Sequence, residues 1–395
     1  MSIRNNPGTV SSNLRFAYDI ADTRNSYAGE PTTNLIAYSQ PTNGAWNTNG
    51  AGSIITQNFG YSPIGTLNSS LVQDNQSSGN APFCYYAASV SSNTIYTISV
   101  WVKPSKTNTT WGLYVYEMSP NISLINSVGF GTLTPGVWTK VSLTVTTDSN
   151  ATSFAPHILA GAGLASADDT VEIWGVQVEQ KDHSTTTIPT FGSTLSRSVT
   201  SSLFDISGYN ASLDMSNVSF NSSGNPTFDG SNDYITVAHA NSPITNKSYE
   251  MVFRPDSIPA SNTFRSIWQK SDNWNGDTGI SMQFIYNNFT FSYGASWGGS
   301  VALAPISSYV TAGNWYHVVG TVSGNGGSAA MYINGSLAGT GTAGTPTTTV
   351  GLTIGLGNGG SLLGDIPIFR MYSETLSAAQ VQQNYLAYKK RFGIW

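Results

Sequence analysis

Few side chains in this sequence could do covalent chemistry, and their spacing argues against most of it. Gly294-Ala295-Ser296-Trp297-Gly298 matches G-x-S-x-G. A nucleophile elbow, however, needs a strand before it, a helix after it, and then an acid and a histidine in order. No Asp or Glu lies between Ser296 and His317, and both flanks read as strand and turn, so this stretch is expected to be a glycine-rich turn. Retaining glycosidases need two carboxylates about 5 to 5.5 Å apart. Glu172 and Glu179 are seven residues apart, and the period of two places them on opposite strand faces. His157, His183, His239 and His317 are isolated and lack the spacing of zinc ligands. The chain is therefore read as not an enzyme, with a polysaccharide-degrading activity the least favoured alternative.

Binding chemistry is better represented. Sugars are held by flat aromatic faces against their C–H surfaces, with amides and hydroxyls at the edges. Trp274 between Asn273 and Asn275, Trp297 in its glycine-rich turn, and Trp46 in "NGAWNTNG" carry that character. Hard cations take oxygen ligands, and two Asx-rich loops could supply them: Asp272, Asn273, Asn275 and Asp277, and then Asp229, Asn232 and Asp233. Such residues also build ordinary turns. No cofactor is required, and calcium is the one ion these loops would suit.

These residues must be positioned by β-structure. In "NTIYTISVWVKPS" Tyr96, Ile98, Val100 and Val102 alternate with Thr97, Ser99, Trp101 and Lys103, and "WTKVSLTVTT" alternates in the same way. "SYEMVFRP" and "WYHVVGTV" continue the pattern further on. Asn334-Gly335 lies between two strand-like runs and predicts a type I′ hairpin. One helix is expected near the end, in "LSAAQVQQNYLAYKKRF", with Ser377 and Gln380 as a capping box and Val381, Tyr385, Tyr388 and Phe392 on one face. The fold class is all-β: two β-sandwich or jelly-roll domains with one short C-terminal helix.

Composition agrees. The chain has 395 residues, 40 of them glycine, with 39% hydrophobic and 12% aromatic residues, which suits two domains of short strands and tight turns. Only 9% of residues are charged, against roughly 25% in a usual soluble domain, which favours a chain packed into an assembly. A net charge of -5 without a basic block offers nucleic acid no footprint. The first residues do not read as a secretory signal. No apolar run reaches about 18 residues, so no membrane insertion is expected. The single cysteine, Cys84, excludes an intrachain disulfide and suits synthesis in a reducing cytoplasm.

Four motifs in order, "PTFDGSNDYITV", "GNWYHVVGTV", "AMYINGSLAGT" and "GDIPIFRMYSETLSAAQVQQNYLA", resemble the laminin G-like, concanavalin A-like jelly roll. "LRFAYDIADTRNSYAGE" looks like the opening strand of that family, yet "LFDISGYNAS" follows only at Leu203. The resemblance implies a discontinuous jelly roll from 11–30 plus 200–395, preceded by an arm at 1–10. A carbohydrate-binding-module-like jelly roll would be inserted at 34–190, with a linker at 191–199. It also implies a calcium near the loop tips. "WGVQVEQKDHSTTTIPTFGSTLSRS" resembles a tail found in phage fibre and virion proteins, in which Trp174, Val176 and Val178 would close the inserted sandwich before the chain crosses back.

These resemblances imply a bacteriophage virion structural protein, serving as a fibre, capsid decoration or tail appendage. It would be assembled in the host cytoplasm and located in the virion, and it would attach the particle to host cell-surface glycans. A structural cement that binds no sugar is the alternative. Other virion proteins of the capsid or tail are the implied partners, with Met1–Val10 and "RFGIW" as docking peptides. A homo-oligomer is implied, a trimer being usual for a fibre, although no coiled-coil heptad is present to enforce one.

Overall fold

The computed structural model describes residues 8–394 apart from 43, 49–52, 75–82, 108–110, 121, 161–169, 244, 246, 261–262, 272–278, 295–301 and 358–359. Its contacts divide the chain into two compact units. One comprises residues up to Glu30, Val199–Asn221 and Asn225 onward; the other comprises Pro31–Ser198 with Ser222–Gly224.

In the first unit an eight-stranded sheet faces a seven-stranded one. The long Leu363–Tyr372 strand carries Ser248–Pro255 along one edge, and along the other both Pro226–Asp229 and Leu14–Asp19. Phe16 and Tyr18 are fully buried in the core with Phe253, Trp268, Phe291 and Phe369, and the Tyr18 hydroxyl donates to Ile366 O at 3.0 Å. Alternation in Ser248–Pro255 sends Tyr249, Met251 and Phe253 inward. Glu250 and Val252 point the other way, yet they are just as buried, because the Ala378–Phe392 helix covers that outer face.

The helix begins at Ser377 with both capping-box bonds formed and ends at Gly393 in the left-handed region. Val381, Tyr385 and Tyr388 are buried beneath it. Asn334 and Gly335 have φ of 50° and 78°, as a type I′ turn requires, and join the Ser328–Ile333 and Ser336–Thr342 strands.

The second unit is also a two-sheet sandwich. A five-stranded sheet runs in the order Thr139–Thr146, Ile95–Pro104, Thr170–Glu179, Ser70–Asp74 and Ser53–Thr56. A six-stranded sheet has Ser153–Leu159 between Gly112–Ser119 and Phe83–Tyr85, with Ser123–Gly129 and Asn47–Thr48 outside them. Tyr96, Ile98, Val100, Val102, Val171, Ile173, Val176 and Val178 fill the space between the sheets.

The Thr170–Glu179 strand corrects two sequence expectations. Its pairing with Ile95–Pro104 shifts between Trp174 and Gln177, a bulge built on Gly175 at φ 65°. One extra residue reverses the alternation. Trp174 therefore points away from the core that holds Val176 and Val178, and Glu172 and Glu179 share one face. Both carboxylates are taken up structurally: Glu172 pairs with Lys103 and accepts from Ser69, while Glu179 accepts from Gln177 Nε2, Thr185 N and Thr185 Oγ1 at 2.8–2.9 Å. The segment 181–190 lies over this face. Thr97 donates to Lys181 O, Trp101 to Thr187 Oγ1, and Ile188 N to Gln177 Oε1. The polar ribbon thus satisfies one outer sheet face before the chain leaves the unit.

Candidate functional site

Among the described residues, the outer face of the six-stranded sheet has no such cover. Alternation there sends Cys84, Leu113, Val115 and Ile158 inward, all completely buried. Phe83 and Tyr85, Tyr114 and Tyr116, and His157 consequently point outward on three adjacent strands. His157 sits directly opposite Tyr85 on one side and Tyr114 on the other. Its ring stacks on Phe83 at 4.8 Å and on Tyr85 at 4.7 Å, with Tyr116 tilted against it at 4.6 Å between centroids. The four flanking rings are half-buried, which leaves a continuous aromatic strip partly open to solvent.

His157 itself is 7% exposed, and its Nε2 is sealed without a hydrogen-bond partner. Burial pushes its pKa down to about 4, so near neutral pH the imidazole is an uncharged plate under the rings. Ser127 pairs opposite Tyr114 and the half-exposed Leu124 opposite Tyr116; Asn47 pairs opposite Tyr85. Among the described residues, the outward positions of these strands hold no Lys, Arg, Asp or Glu. Glu117, on the inward phase, accepts from Asp148 N at 2.9 Å.

The residues singled out from sequence fall elsewhere. Trp46 is 4% exposed in the core of the second unit, its Nε1 donating to Tyr38 O at 2.9 Å and its ring against Tyr86. At that burial the ring leaves no open sugar platform, which corrects the expectation. Asp272, Asn273, Trp274, Asn275, Asp277 and Trp297 lie outside the described residues, as does Ser296.

Asp229 and Asp233 do come together in one turn, but as turn-builders. Asp233 accepts from Asp229 N at 2.7 Å and from Ser219 Oγ at 3.2 Å, and burial raises its pKa. Asp229 accepts from Ser231 N. No group of three His, Cys, Asp or Glu suited to a metal occurs among the described residues.

His317 was read as an isolated imidazole, and it is fully buried beside Glu250, with Nε2 and Oε1 2.7 Å apart. The aromatic strip is not signalled by loop tryptophans. The available signal was ring residues on the outward phase of strands, "LYVYEM" and "FCYY", where a solvent-facing sheet ordinarily carries polar side chains.

A model of the concanavalin A-like lectin/glucanases superfamily matches residues 229–382, within the first unit. No match was found among curated proteins. Among solved structures, the binding domain of botulinum neurotoxin serotype C1 is similar at 18% identity over 47% of this chain and 49% of that one, with a TM-score of 0.37. The same shares and identity, also with a TM-score of 0.37, describe botulinum neurotoxin type C, whose cell entry depends on two ganglioside molecules. The Clostridium thermocellum xylanase 10B CBM22-1–GH10 modules, complexed with xylohexaose, align at 19% identity over 40% of this chain and 29% of that one, with a TM-score of 0.27. The chain spans about half the length of the neurotoxin structures it matches. The first unit thus carries a concanavalin A-like jelly roll in a mostly β protein.

Proposed function

We propose that this protein binds carbohydrate, and that it does so through the aromatic face of the second unit. The observation that carries the reading is the strip formed by Phe83, Tyr85, Tyr114 and Tyr116 around a neutral His157. Preorganised rings offer the flat apolar surface that pyranose C–H faces need, and tyrosine hydroxyls, Asn47 and Ser127 offer polar partners. Stacking could equally serve nucleobases, but that mode also needs a cationic groove to follow the phosphates, and the face has no cation among its described residues. Hydrolysis has no support there, since no described carboxylate faces the strip.

The setting we propose is a bacteriophage virion, in which many weakly binding copies hold the particle to host-surface glycans. The resemblance of Trp174–Ser198 to virion tails and the sparse charge support it. Glycan-array binding of the full chain tests the site. Tyr85→Ala and Tyr116→Ala are each expected to weaken binding by about tenfold or more, while Leu386→Ala, an exposed helix position, leaves it intact. Unchanged binding in both tyrosine variants would refute the assignment.

One observation favours the second reading, a structural cement. In the second unit Phe59, Tyr61, Ile64 and Leu67 are 49–67% exposed on a hairpin fixed by Phe59 N to Ser69 O, Ser69 N to Gly60 O and Ser62 N to Thr66 O bonds. Rigid, open apolar side chains suit a protein contact. Binding to purified capsid or tail subunits, lost in Tyr61→Ser and kept in Tyr116→Ala, would establish that role.

A further inference from the structure

Resting on the carbohydrate reading above, we infer that the ligand of the aromatic face is an uncharged polysaccharide gripped along its chain, and not a sialylated, uronate or sulfated glycan. Two independent features carry this. First, the face lacks charge: across the five strands that build it, the outward positions described hold rings, aliphatic side chains such as Leu124, small residues and amides, and no Lys, Arg, Asp or Glu. An anionic sugar stripped of water on such a surface would find no cation to replace its hydration, which costs several-fold more than burying a hydroxyl that keeps a hydrogen bond. The one titratable group at its centre, His157, has no acid within its contacts and no partner for Nε2, so it cannot serve as the missing cation at neutral pH.

Second, the strip is long. Its rings stand on three adjacent strands, with Phe83 and Tyr85 on one flank of His157 and Tyr114 and Tyr116 on the other. Strands are about 4.8 Å apart, so the platform runs on the order of 10 Å between its outer strands alone. That exceeds one sugar ring and suits consecutive residues of a chain. A terminal charged sugar would instead need a compact pocket with a fixed cation.

The test measures affinity of the full chain for neutral polymers (a soluble β-glucan, a xylan and a mannan) and for anionic ones (alginate, hyaluronan and polysialic acid), at low and high salt. The expected result is binding of a neutral polymer that changes less than about twofold when salt rises tenfold, since screening acts on charge. Tetrasaccharides of that polymer should compete and monosaccharides should not. Tyr85→Ala and Tyr116→Ala should each weaken binding by about tenfold or more, as loss of an aromatic hot spot does. Leu124→Lys, at an exposed rim position that should not disturb folding, should shift preference toward anionic polymers. Tyrosine-dependent, salt-sensitive binding of the anionic set by the unaltered chain would overturn this inference while leaving the glycan reading standing. Binding of neither set, or binding indifferent to both tyrosine variants, would overturn the glycan reading itself and this inference with it.

Discussion

Two buried histidines show how differently the two units treat the outward side of a sheet. In the concanavalin A-like unit, His317 lies under the C-terminal helix within a polar network. It meets Glu250, whose other oxygen accepts from Tyr372 Oη at 2.6 Å and Asn384 Nδ2 at 3.0 Å. Asn384 Oδ1 in turn accepts from Val10 N at 2.6 Å. Burial works against ionisation of Glu250, but the hydrogen bond and charge of His317 and the nearby Arg370 outweigh it and hold the carboxyl below its usual range. In the inserted unit, His157 has no charge beside it and is covered by rings alone. A face closed by its own helix can accommodate ions because the helix brings partners; a face left half open is built from groups that need none. The first arrangement closes the face with ions and hydrogen bonds, and the second leaves an uncharged aromatic surface half open to solvent.

The largest effect should come from breaking the ionic arrangement. Glu250→Ala strips three donors of their acceptor and is expected to cost about 3–5 kcal/mol, read as a lower urea midpoint for exchange of the Met251–Phe253 amides. His157→Leu, which removes a nitrogen that has no partner, should move the Leu113–Val115 amides by less than about 1 kcal/mol. Equal costs at the two sites would erase the contrast.

A smaller effect is expected at the bulge that turns Trp174 outward. A Cβ on Gly175 would sit 2.6 Å from Thr187 Cγ2 at a φ of +65°, so Gly175→Ala should cost about 1–3 kcal/mol. Adding Thr187→Ser should recover the steric part and leave the backbone part. Full recovery would show that the left-handed backbone contributes nothing.

An effect comparable to that at the bulge is expected from acid. The unfolded state keeps an ordinary histidine near 6.5, whereas folded His157 is pushed down to about 4. The unfolded chain therefore binds more protons between those values, and stability present above 6.5 is lost as the pH falls toward about 4. Allowing for solvent screening at a site open on one side, the loss is about 1–2 kcal/mol. Glu250, with its pKa lowered, contributes stability that persists until the pH falls below the usual carboxylate range. Amide exchange on a pH series should thus show the inserted unit weakening first, and a His157→Gln variant should flatten that slope.

Much of the architecture could be read directly from the residues. The alternation of Tyr96, Ile98, Val100 and Val102, the Asn334-Gly335 hairpin and the Ser377–Gln380 capping box are local patterns with local causes, and each is present. The faces of Glu172 and Glu179 could not be read, because a bulge depends on what packs over Gly175 and periodicity assumes an unbroken strand. Nor could the burial of Trp46 in "NGAWNTNG", whose polar neighbours suggested an open loop; its ring is covered by Tyr86, forty residues on, while its Nε1 donates to Tyr38 O. The aromatic face was visible one strand at a time, as tyrosines on the polar phase. Only the pairing of three strands, which no single window contains, makes it a surface.

The division of the chain has a mechanical consequence. Residues 8–30 and those after 198, apart from Ser222–Gly224, belong to one unit, where Leu14–Asp19 is hydrogen-bonded to Leu363–Tyr372 and Arg391 clasps Asp19 through two contacts of 2.6 Å. Tension applied between Val10 and the C-terminal helix would therefore be carried through the Val10–Asn384 bond, that strand pair and that clasp, and the inserted unit would lie outside the load path for as long as they held. Such a pull would strain the bonds that close the first unit before it loaded any strand of the second.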